Sequence, residues 1–170
     1  MRQGFKIKDQ LVTGEDFIVS EHLDGVLVTK PVLSEKDLIK YYDSSKYISH
    51  NKGKGLFNRL FEFFSKWMLR KKFNMIKPYI KQDSLVVDFG CGRGKFLSYV
   101  SKKGFNTIGI ENNPNAIKNC RLKKLKTYKS LNDIKQNINL ISFWHSFEHV
   151  SNYNEILTQS NKLLVKDGFV

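Results

Sequence analysis

Several residues of the types that form ligand-binding turns lie together in the stretch VVDFGCGRGKFL, residues 86–97. Asp88 is followed by Gly90, Gly92 and Gly94 at every second position, directly after an apolar run. Because glycine has no side chain, a glycine-rich turn between a strand and a helix lets the main chain come close to a ligand. The spacing of the glycines separates the classes of ligand that such a turn can bind.

Two common phosphate-binding turns do not fit this spacing. A phosphate-binding loop requires Ser or Thr directly after Gly-Lys and a further glycine five residues before the second glycine. Here Phe96 follows Lys95, and Phe89 stands at the earlier position, so that loop is excluded. A dinucleotide fingerprint requires glycine where Lys95 stands, and a large cation there would obstruct the close packing of helix on strand.

The elements that must position this turn follow an alternating pattern from residue 84 onward. Apolar runs predict strands over 85–89, 106–111, 126–130 and 138–144, and amphipathic segments predict helices over 95–104, 113–124 and 153–165. We expect the turn Asp167-Gly168 to close the last helix. Strands that alternate with helices indicate an α/β fold with a parallel sheet.

A longer helix is predicted over residues 56–77, before the first of these strands. Its large apolar residues recur at steps of three and four: Leu56, Phe57, Leu60, Phe61, Phe63, Phe64, Trp67 and Met68. Such a stripe is typical of a helix that packs on a sheet and also of a helix that lies on a membrane surface. We expect packing on the sheet.

Composition limits the class of protein. The 170 residues suit one domain with a small appendage, and 41% hydrophobic residues can form a core. Cys91 and Cys120 are too few for a disulfide framework or a zinc site, which fits a reducing, cytoplasmic location. No apolar run reaches the about 18 residues of a membrane span. The net charge of +13 suggests a polyanionic partner, but the lysines are spread along the chain, so nucleic acid is the less favoured partner.

The sequence resembles class I S-adenosylmethionine-dependent methyltransferases. The turn from Asp88 to Gly94 is similar to their first motif, and Glu111 in IGIENNP matches the acidic residue of their second strand. NLISFWHSFEHV and NKLLVKDGFV resemble later motifs of a bacterial subgroup similar to ubiquinone-pathway O-methyltransferases. The resemblance implies a Rossmann-like sheet with flanking helices and S-adenosyl-L-methionine as the cofactor, with S-adenosyl-L-homocysteine as its product.

The resemblance also implies roles for individual residues. Glu111 would accept hydrogen bonds from both ribose hydroxyls, and Asn112 and Asn113 would line the adenine side. Tyr47 and His50, with Tyr42, would close over the cofactor as a lid, or alternatively pack against a helix. The predicted cofactor-binding residues are Asp88, Gly90, Cys91, Gly92, Gly94, Glu111, Asn112, Ser130, Trp144, His145, Tyr47 and His50. No metal ligand is predicted.

His145, just past the fourth strand, is the candidate catalytic residue. It is placed to act as a general base or to orient the acceptor, because reacting groups gather at the carboxyl ends of parallel strands. The alternative is a histidine that forms hydrogen bonds within the loop and touches the cofactor without taking part in the chemistry. Glu148 and His149 follow one turn later, and His149 is expected to brace that turn. Trp144 could stack near the cofactor or belong to the core.

Three segments are expected. Residues 1–33 are predicted to be a metal-free remnant of the zinc ribbon that precedes many proteins of the subgroup, with Glu21 and Asp24 where cysteines would stand. Residues 34–83 are predicted to be a helical lid that leads into the domain. Residues 84–170 would be the cofactor-binding half of a truncated domain that lacks its C-terminal strands, beginning with the fifth. The exposed edge of the fourth strand would then require a dimer or another partner.

Three functions therefore remain open. The first is methyl transfer to a small-molecule acceptor or to a lipid- or sugar-linked acceptor. The second, suggested by the charge, is methylation of nucleic acid or of the ribosome. The third, suggested by the missing strands, is a cofactor-binding module without catalysis.

Overall fold

The computed structural model of the chain describes residues 4–10, 13–22, 25–31, 56–150 and 152–170, and the side chains of residues 56–58 are not included. The chain divides into two compact units, Met1–Asn58 and Arg59–Val170. The segment SEKDLIKYY, residues 34–42, begins with the capping pattern Ser34-x-x-Asp37 and predicts a short helix. This helix and the predicted lid residues Tyr42, Tyr47 and His50 lie outside the described residues.

The first unit contains a small antiparallel sheet. Its strands β1 (Phe5–Lys8), β2 (Asp16–Glu21) and β3 (Leu27–Lys30) pair in the order β1-β2-β3. The β-like runs DFIVS, residues 16–20, and GVLVT, residues 25–29, predict β2 and β3, whereas no strand was predicted at the position of β1. The strands are largely exposed, and Phe17 is the buried hydrophobic residue among their described positions. That this sheet is a remnant of a zinc ribbon stays a prediction.

The second unit alternates helices with strands. It contains α1 (Leu56–Ile76, which begins in the first unit), β4 (Leu85–Phe89), α2 (Lys95–Ser101), β5 (Asn106–Ile110), α3 (Pro114–Leu122), β6 (Thr127–Tyr128), β7 (Ile138–Phe143), α4 (Tyr153–Leu163) and β8 (Leu164–Phe169). Short 3-10 helices cover Lys77–Tyr79, Leu131–Asp133 and Phe147–His149. The predicted α/β fold is confirmed.

The five strands of this unit form one sheet in the order β6-β5-β4-β7-β8, and all of their pairings are parallel. The apolar strand β4 lies in the middle, between β5 and β7. Asp88 on β4 is paired with Gly109 on β5 and with Ser142 on β7. Because all strands run the same way, the residues that follow them meet at one edge of the sheet, as a ligand site of this fold requires.

Both faces of the sheet are covered by hydrophobic residues, because successive residues of β4 point to opposite sides. Val87 belongs to the cluster on one face, with residues of β5, β7 and the 131–138 segment. Val86 belongs to the cluster on the other face, where Phe73 and Ile76 of α1 and Phe96 of α2 pack. The sheet is therefore the middle layer of the unit.

One expectation about the C-terminal end is wrong. Residues 164–169 are not the end of a helix and a closing turn but the strand β8, which pairs with β7. The strand follows α4 directly at Leu164, whose backbone is extended. Gly168 is a strand residue at an irregular pairing, where glycine commonly marks a bulge. The strand β7, predicted as the fourth strand of the domain, therefore has a paired neighbour that was expected to be absent.

The expectation that α1 packs its aromatic stripe on the sheet is also wrong. The helix contacts the sheet through its C-terminal part, where Leu69, Phe73 and Ile76 join the core. The aromatic stripe is exposed instead, with Phe63 64% and Phe64 57% accessible. The helix therefore has two apolar faces, and the one with fewer aromatic residues packs on the sheet.

Candidate functional site

The glycine turn connects β4 to α2 and is joined by hydrogen bonds to the end of β5. The backbone N–H groups of Gly90 and Cys91 both donate to the carbonyl oxygen of Ile110, at 2.8 and 3.1 Å. Gly94 is the residue at the start of α2. The turn is thus held against the neighbouring strand at the carboxyl edge of the sheet.

The carboxylate of Glu111, directly after β5, lies against this turn. Its Oε2 accepts a hydrogen bond from the N–H of Gly92 at 2.8 Å. Its Oε1 accepts from the N–H groups of Asn112 and Asn113, each at 2.8 Å. The three backbone donors fix the orientation of the carboxylate, so the acidic residue and the glycine turn form one continuous surface.

Gly92 combines a backbone that only glycine adopts easily with open space beside it. Its φ is +53°, and no atom lies within 4 Å of the position that a Cβ would take. Gly90, in contrast, has Ser146 underneath, because a Cβ at Gly90 would lie 2.5 Å from the Cβ of Ser146. The Gly90 position is closed by protein atoms, whereas the Gly92 position is open to a ligand.

Asp88 is a buried acid below the turn. Its side chain is 3% exposed, and its Oδ1 accepts a hydrogen bond from the Oγ of Ser142 at 3.0 Å. Burial raises the pKa of Asp88 to about 7, although the hydrogen bond from Ser142 and the positive charge of Lys72 lower it. The carboxyl group can therefore change its protonation state near neutral pH.

The two cysteines fill the space under the turn. Cys91 and Cys120 are both buried and pack with Leu97 and Leu125. The Sγ of Cys120 donates to the carbonyl oxygen of Gly92 at 3.3 Å. Burial raises the pKa of the Cys91 thiol far above its usual range, so the thiol stays protonated and is not a nucleophile.

Two of the predicted polar residues have capping roles. The side-chain oxygen of Asn113 accepts from the N–H groups of Asn115 and Ala116, which caps α3. Ser130, after β6, caps the 3-10 helix Leu131–Asp133 in a reciprocal pair with Asp133. Asn112 is exposed at the same edge of the sheet as Glu111.

Trp144 and His145 follow β7 and differ in burial. Trp144 packs edge-on against Phe96, with 5.5 Å between ring centroids, and Lys72 Nζ lies 4.8 Å from its ring centre. His145 is exposed and has a φ of +57°, which is uncommon for a residue other than glycine. Its Nδ1 lies 3.9 Å from Glu148 Oε1. His145 is therefore held in a conformation that turns the chain sharply at the edge of the sheet.

Three residues of this region were not predicted from the sequence. Ser142 binds Asp88, Lys72 of α1 interacts electrostatically with it, and Ser146 Oγ donates to the carbonyl oxygen of Phe89 at 2.6 Å. Ser142 gave a signal, since it is a serine within an otherwise largely apolar strand. Lys72 and Ser146 gave none, because their contacts come from the tertiary arrangement.

The described residues set two limits on the class of site. No group of three or more His, Cys, Asp and Glu side chains among them could hold a metal ion. In the same ranges, no helix combines the length and the apolar character that crossing a membrane requires.

A family model described as a methyltransferase domain matches residues 58–170. No curated protein matches the sequence at a significant level. The resemblance to class I methyltransferases is thereby confirmed at the level of the family, whereas the subgroup similar to ubiquinone-pathway enzymes stays a prediction.

Three solved structures illustrate the shared fold. A TehB-like S-adenosylmethionine-dependent methyltransferase from Corynebacterium glutamicum has a TM-score of 0.50 and 18% identity, over 63% of this chain and 67% of that chain. The plantazolicin methyltransferase BpumL with S-adenosylhomocysteine has a TM-score of 0.51 and 21% identity, over 64% and 46%. Coclaurine N-methyltransferase has a TM-score of 0.50 and 20% identity, over 59% and 33%.

The chain therefore spans less than half of the plantazolicin and coclaurine enzymes. At these identities the likeness shows the fold, and the family model supplies the assignment. Since that model covers more than half of the sequence and the parallel sheet carries its glycine turn in the expected place, the chain belongs to the methyltransferase domain family and has the fold of class I S-adenosylmethionine-dependent methyltransferases.

Proposed function

We propose that the chain binds S-adenosyl-L-methionine at the glycine turn and transfers its methyl group to a small-molecule acceptor or to a lipid- or sugar-linked acceptor. The observation that carries the proposal is the hydrogen bond from the N–H of Gly92 to Glu111 Oε2, at 2.8 Å. The glycine turn and the acidic residue after the next strand, which are separate segments of the sequence, meet there.

The residues at this edge fit an adenosyl cofactor. Each carboxylate oxygen has about two acceptor sites, so Glu111 Oε2 can accept a sugar hydroxyl besides the N–H of Gly92. The open space at Gly92 lets a ligand approach bare main chain. A side chain at this position would fill the space, so we expect its size to control binding.

Asp88 would contribute to binding through its charge. The cofactor carries an ammonium and a sulfonium group, and an ionised carboxylate below the turn attracts both. When bound, the cofactor supplies an activated methyl group, and the remaining work of the protein is positioning and the exclusion of water. Because the pKa of Asp88 is raised to about 7, a cationic ligand would also favour loss of its proton.

His145 is the group proposed to act on the acceptor. It lies directly after β7, at the edge of the sheet where β4 and β5 also end, and its side chain is 83% exposed. A neutral imidazole there could accept a proton from an alcohol or phenol, and Glu148 Oε1 at 3.9 Å would stabilise the protonated ring.

A small acceptor is favoured over nucleic acid on two grounds. Coclaurine N-methyltransferase, which shares the fold, is bound to the small molecule N-methylheliamine in its structure. The positive charge of this chain consists mostly of lysines spread over the whole sequence and includes only five arginines. A nucleic-acid enzyme would concentrate its cations along a groove.

Calorimetric titration with S-adenosylhomocysteine tests the site. We expect Glu111→Ala to weaken binding by roughly tenfold or more, because hydrogen bonds to a charged group are lost. We expect Gly92→Val to weaken it at least as much, since its side chain would occupy the open space. Glu111→Gln keeps one acceptor oxygen and should fall between wild type and Glu111→Ala.

Gly104 provides a matched control for Gly92. It also has a positive φ, of +89°, with nothing within 4 Å of a Cβ, but it follows α2 at the opposite end of the fold from the turn. Gly104→Val should therefore cost similar backbone strain and leave binding unchanged. Equal affinity of wild type, Glu111→Ala and Gly92→Val would refute the site.

The same titration separates the two roles of His145. If it acts on the acceptor, His145→Ala keeps the affinity for S-adenosylhomocysteine within about twofold, since no cofactor contact is lost. A larger loss would assign the residue to cofactor binding instead.

A further inference from the structure

Helix α1 exposes a continuous stripe of large apolar side chains. The six residues Leu60, Phe61, Phe63, Phe64, Trp67 and Met68 form this stripe, which we call the outer stripe. Their exposed fractions lie between 44% and 64%. Single exposed apolar residues are normal on a protein surface, but a contiguous aromatic patch marks an interaction surface.

The outer stripe lies opposite the face of α1 that packs on the sheet. Leu60 precedes the core residue Leu69 by nine positions, and Phe64 precedes Phe73 by the same number. Nine residues make about two and a half turns of an α-helix, which places such pairs on opposite sides. The stripe is therefore not a misplaced part of the core but a second apolar face.

Positive charge accompanies the outer stripe. Arg59, Lys66 and Arg70 follow each other at steps of seven and four, so they form one row beside it, and all three are exposed. Lys71 lies within the stripe, with its Nζ 4.2 Å from the ring centre of Trp67. The acid of this segment, Glu62, is seven residues before Leu69 and so lies on the core side of the helix.

From this arrangement we infer that the outer stripe docks on a membrane surface that contains anionic lipid. Phenylalanine, tryptophan and leucine on one face of a helix, bordered by Lys and Arg, suit a helix that lies in the interface with its apolar face in the acyl boundary. The row of cations then meets lipid phosphates, and the net charge of +13 adds attraction to an anionic surface. Because the stripe itself is apolar, it suits the acyl boundary of a membrane better than the phosphate backbone of a nucleic acid.

The docked helix would bring the candidate site to the membrane. Lys95, the first residue of α2 after the glycine turn, has its Nζ 5.7 Å from the ring centre of Phe61. The stripe therefore borders the helix that begins at the turn. The docking itself depends only on α1, and it stands or falls independently of the proposed function.

Vesicle co-sedimentation tests the docking. We expect the protein to bind vesicles of phosphatidylcholine with about one-third phosphatidylglycerol, and to bind pure phosphatidylcholine at least tenfold more weakly. Phe63→Ser/Phe64→Ser should lower binding to the anionic vesicles by roughly tenfold or more. Lys66→Glu/Arg70→Glu should lower it by about a hundredfold, because two attractions become repulsions.

Matched controls remove hydrophobicity or charge elsewhere. Leu122 on α3 is 77% exposed, and Lys118 on the same helix is also exposed. Leu122→Ser and Lys118→Glu should each keep vesicle binding within about threefold of the wild type, since neither lies on the docking face. The emission of Trp67 should shift to shorter wavelength when vesicles are added, and Trp67→Phe should remove that shift.

Several outcomes would overturn the inference. The wild type could fail to bind vesicles, or the stripe variants could bind them as well as the wild type does. The protein could also form a lipid-free dimer that Phe63→Ser/Phe64→Ser converts to a monomer, and the stripe would then be an interface between two copies of the chain. Binding of RNA in place of vesicles, unaffected by the phenylalanine changes, would also overturn it. The stripe variants should keep their affinity for S-adenosylhomocysteine, so a failure here is distinguishable from a failure of the cofactor site.

Discussion

The carboxyl group of Asp88 is almost completely buried. Its side chain is 3% exposed, and burial is the largest influence on its pKa, which is raised to about 7. An unfolded aspartate has a pKa of 3.8, so between about pH 4 and pH 7 the folded chain retains a proton that the unfolded chain has released. The contribution of Asp88 to stability therefore falls as the pH rises through this window.

The variant Asp88→Asn tests this linkage. Asparagine cannot ionise, so we expect the free energy of unfolding to decline less between pH 4.5 and pH 7.5 than in the wild type, by on the order of a few kcal/mol. Its side-chain oxygen can still accept the hydrogen bond from Ser142. Urea unfolding at the two pH values provides the measurement.

An exposed carboxylate is the control for this prediction. Asp167→Asn removes the same formal charge from β8, where the residue is exposed, and should leave the pH dependence as it is in the wild type. If wild type and Asp88→Asn lose stability equally over this range, burial of Asp88 does not control its protonation.

At the scale of elements, β5 and the glycine turn approach each other very closely at Gly109. A Cβ at this position would lie 2.4 Å from Cys91 Sγ and 2.7 Å from Leu97 Cδ1. The absence of a side chain at Gly109 therefore lets the turn and α2 pack directly against β5.

The substitution Gly109→Ala should destabilise the protein by about 1–3 kcal/mol, because the added methyl group overpacks a tight contact. Cys91→Ala removes the sulfur atom that the methyl group meets. We therefore expect the double variant to lose less stability than the sum of the two single variants. Thermal or urea unfolding of the four proteins measures this coupling, and strictly additive losses would contradict the proposed contact.

The order of elements from β4 to α4 was predictable because β4, β5 and β7 are largely apolar runs and the segments between them show helical patterns. Asn113-Pro114 predicted the start of α3, and Asn113 does cap it. The contact between Gly92 and Glu111 was also predictable, because neighbouring parallel strands end at the same edge of a sheet. These features depend on residues that are close in sequence or on a simple rule of topology.

The orientation of α1 could not be predicted in the same way. Helical periodicity shows that apolar residues share a face, but it does not say which face meets the sheet. The aromatic residues at positions 60–68 gave the stronger pattern, whereas the core uses Leu69, Phe73 and Ile76. The strand β8 was missed because Asp167-Gly168 has the composition of a turn, although Gly168 lies within the strand.

Contacts between distant segments account for the rest of the site. Ser142 and Asp88 are 54 residues apart, and their hydrogen bond follows from the pairing register of β4 with β7. Ser146 fills the space beneath Gly90 across a similar separation. Neither contact produces a pattern among residues that are close in sequence. The turn could therefore be predicted from the sequence, but the residues that support it could not.

At the scale of the whole molecule, the two units differ in how well their strands are covered. The described strands of the first unit form a small sheet with mostly exposed side chains, whereas β4 has a paired strand on each side and a hydrophobic cluster on each face. Marginal burial supports little stability of its own. The units should therefore open at different free energies.

Hydrogen–deuterium exchange measures this difference. We expect the amides of residues 85–89 to exchange only when the second unit unfolds as a whole, because both of their neighbours and both of their covering layers must separate first. Amides of residues 16–21 should exchange by local opening, at least about tenfold faster. Comparable protection of the two strands would contradict this ranking.

The central position of β4 determines at which stage of unfolding the protein should lose ligand binding. The turn that would hold the ligand begins at the last residue of that strand, so it is anchored to the part of the chain that gives way last. On gradual heating or with rising denaturant, the protein should still bind its ligand after the antiparallel sheet of the first unit has unfolded. Loss of binding should coincide with unfolding of the parallel sheet of the second unit.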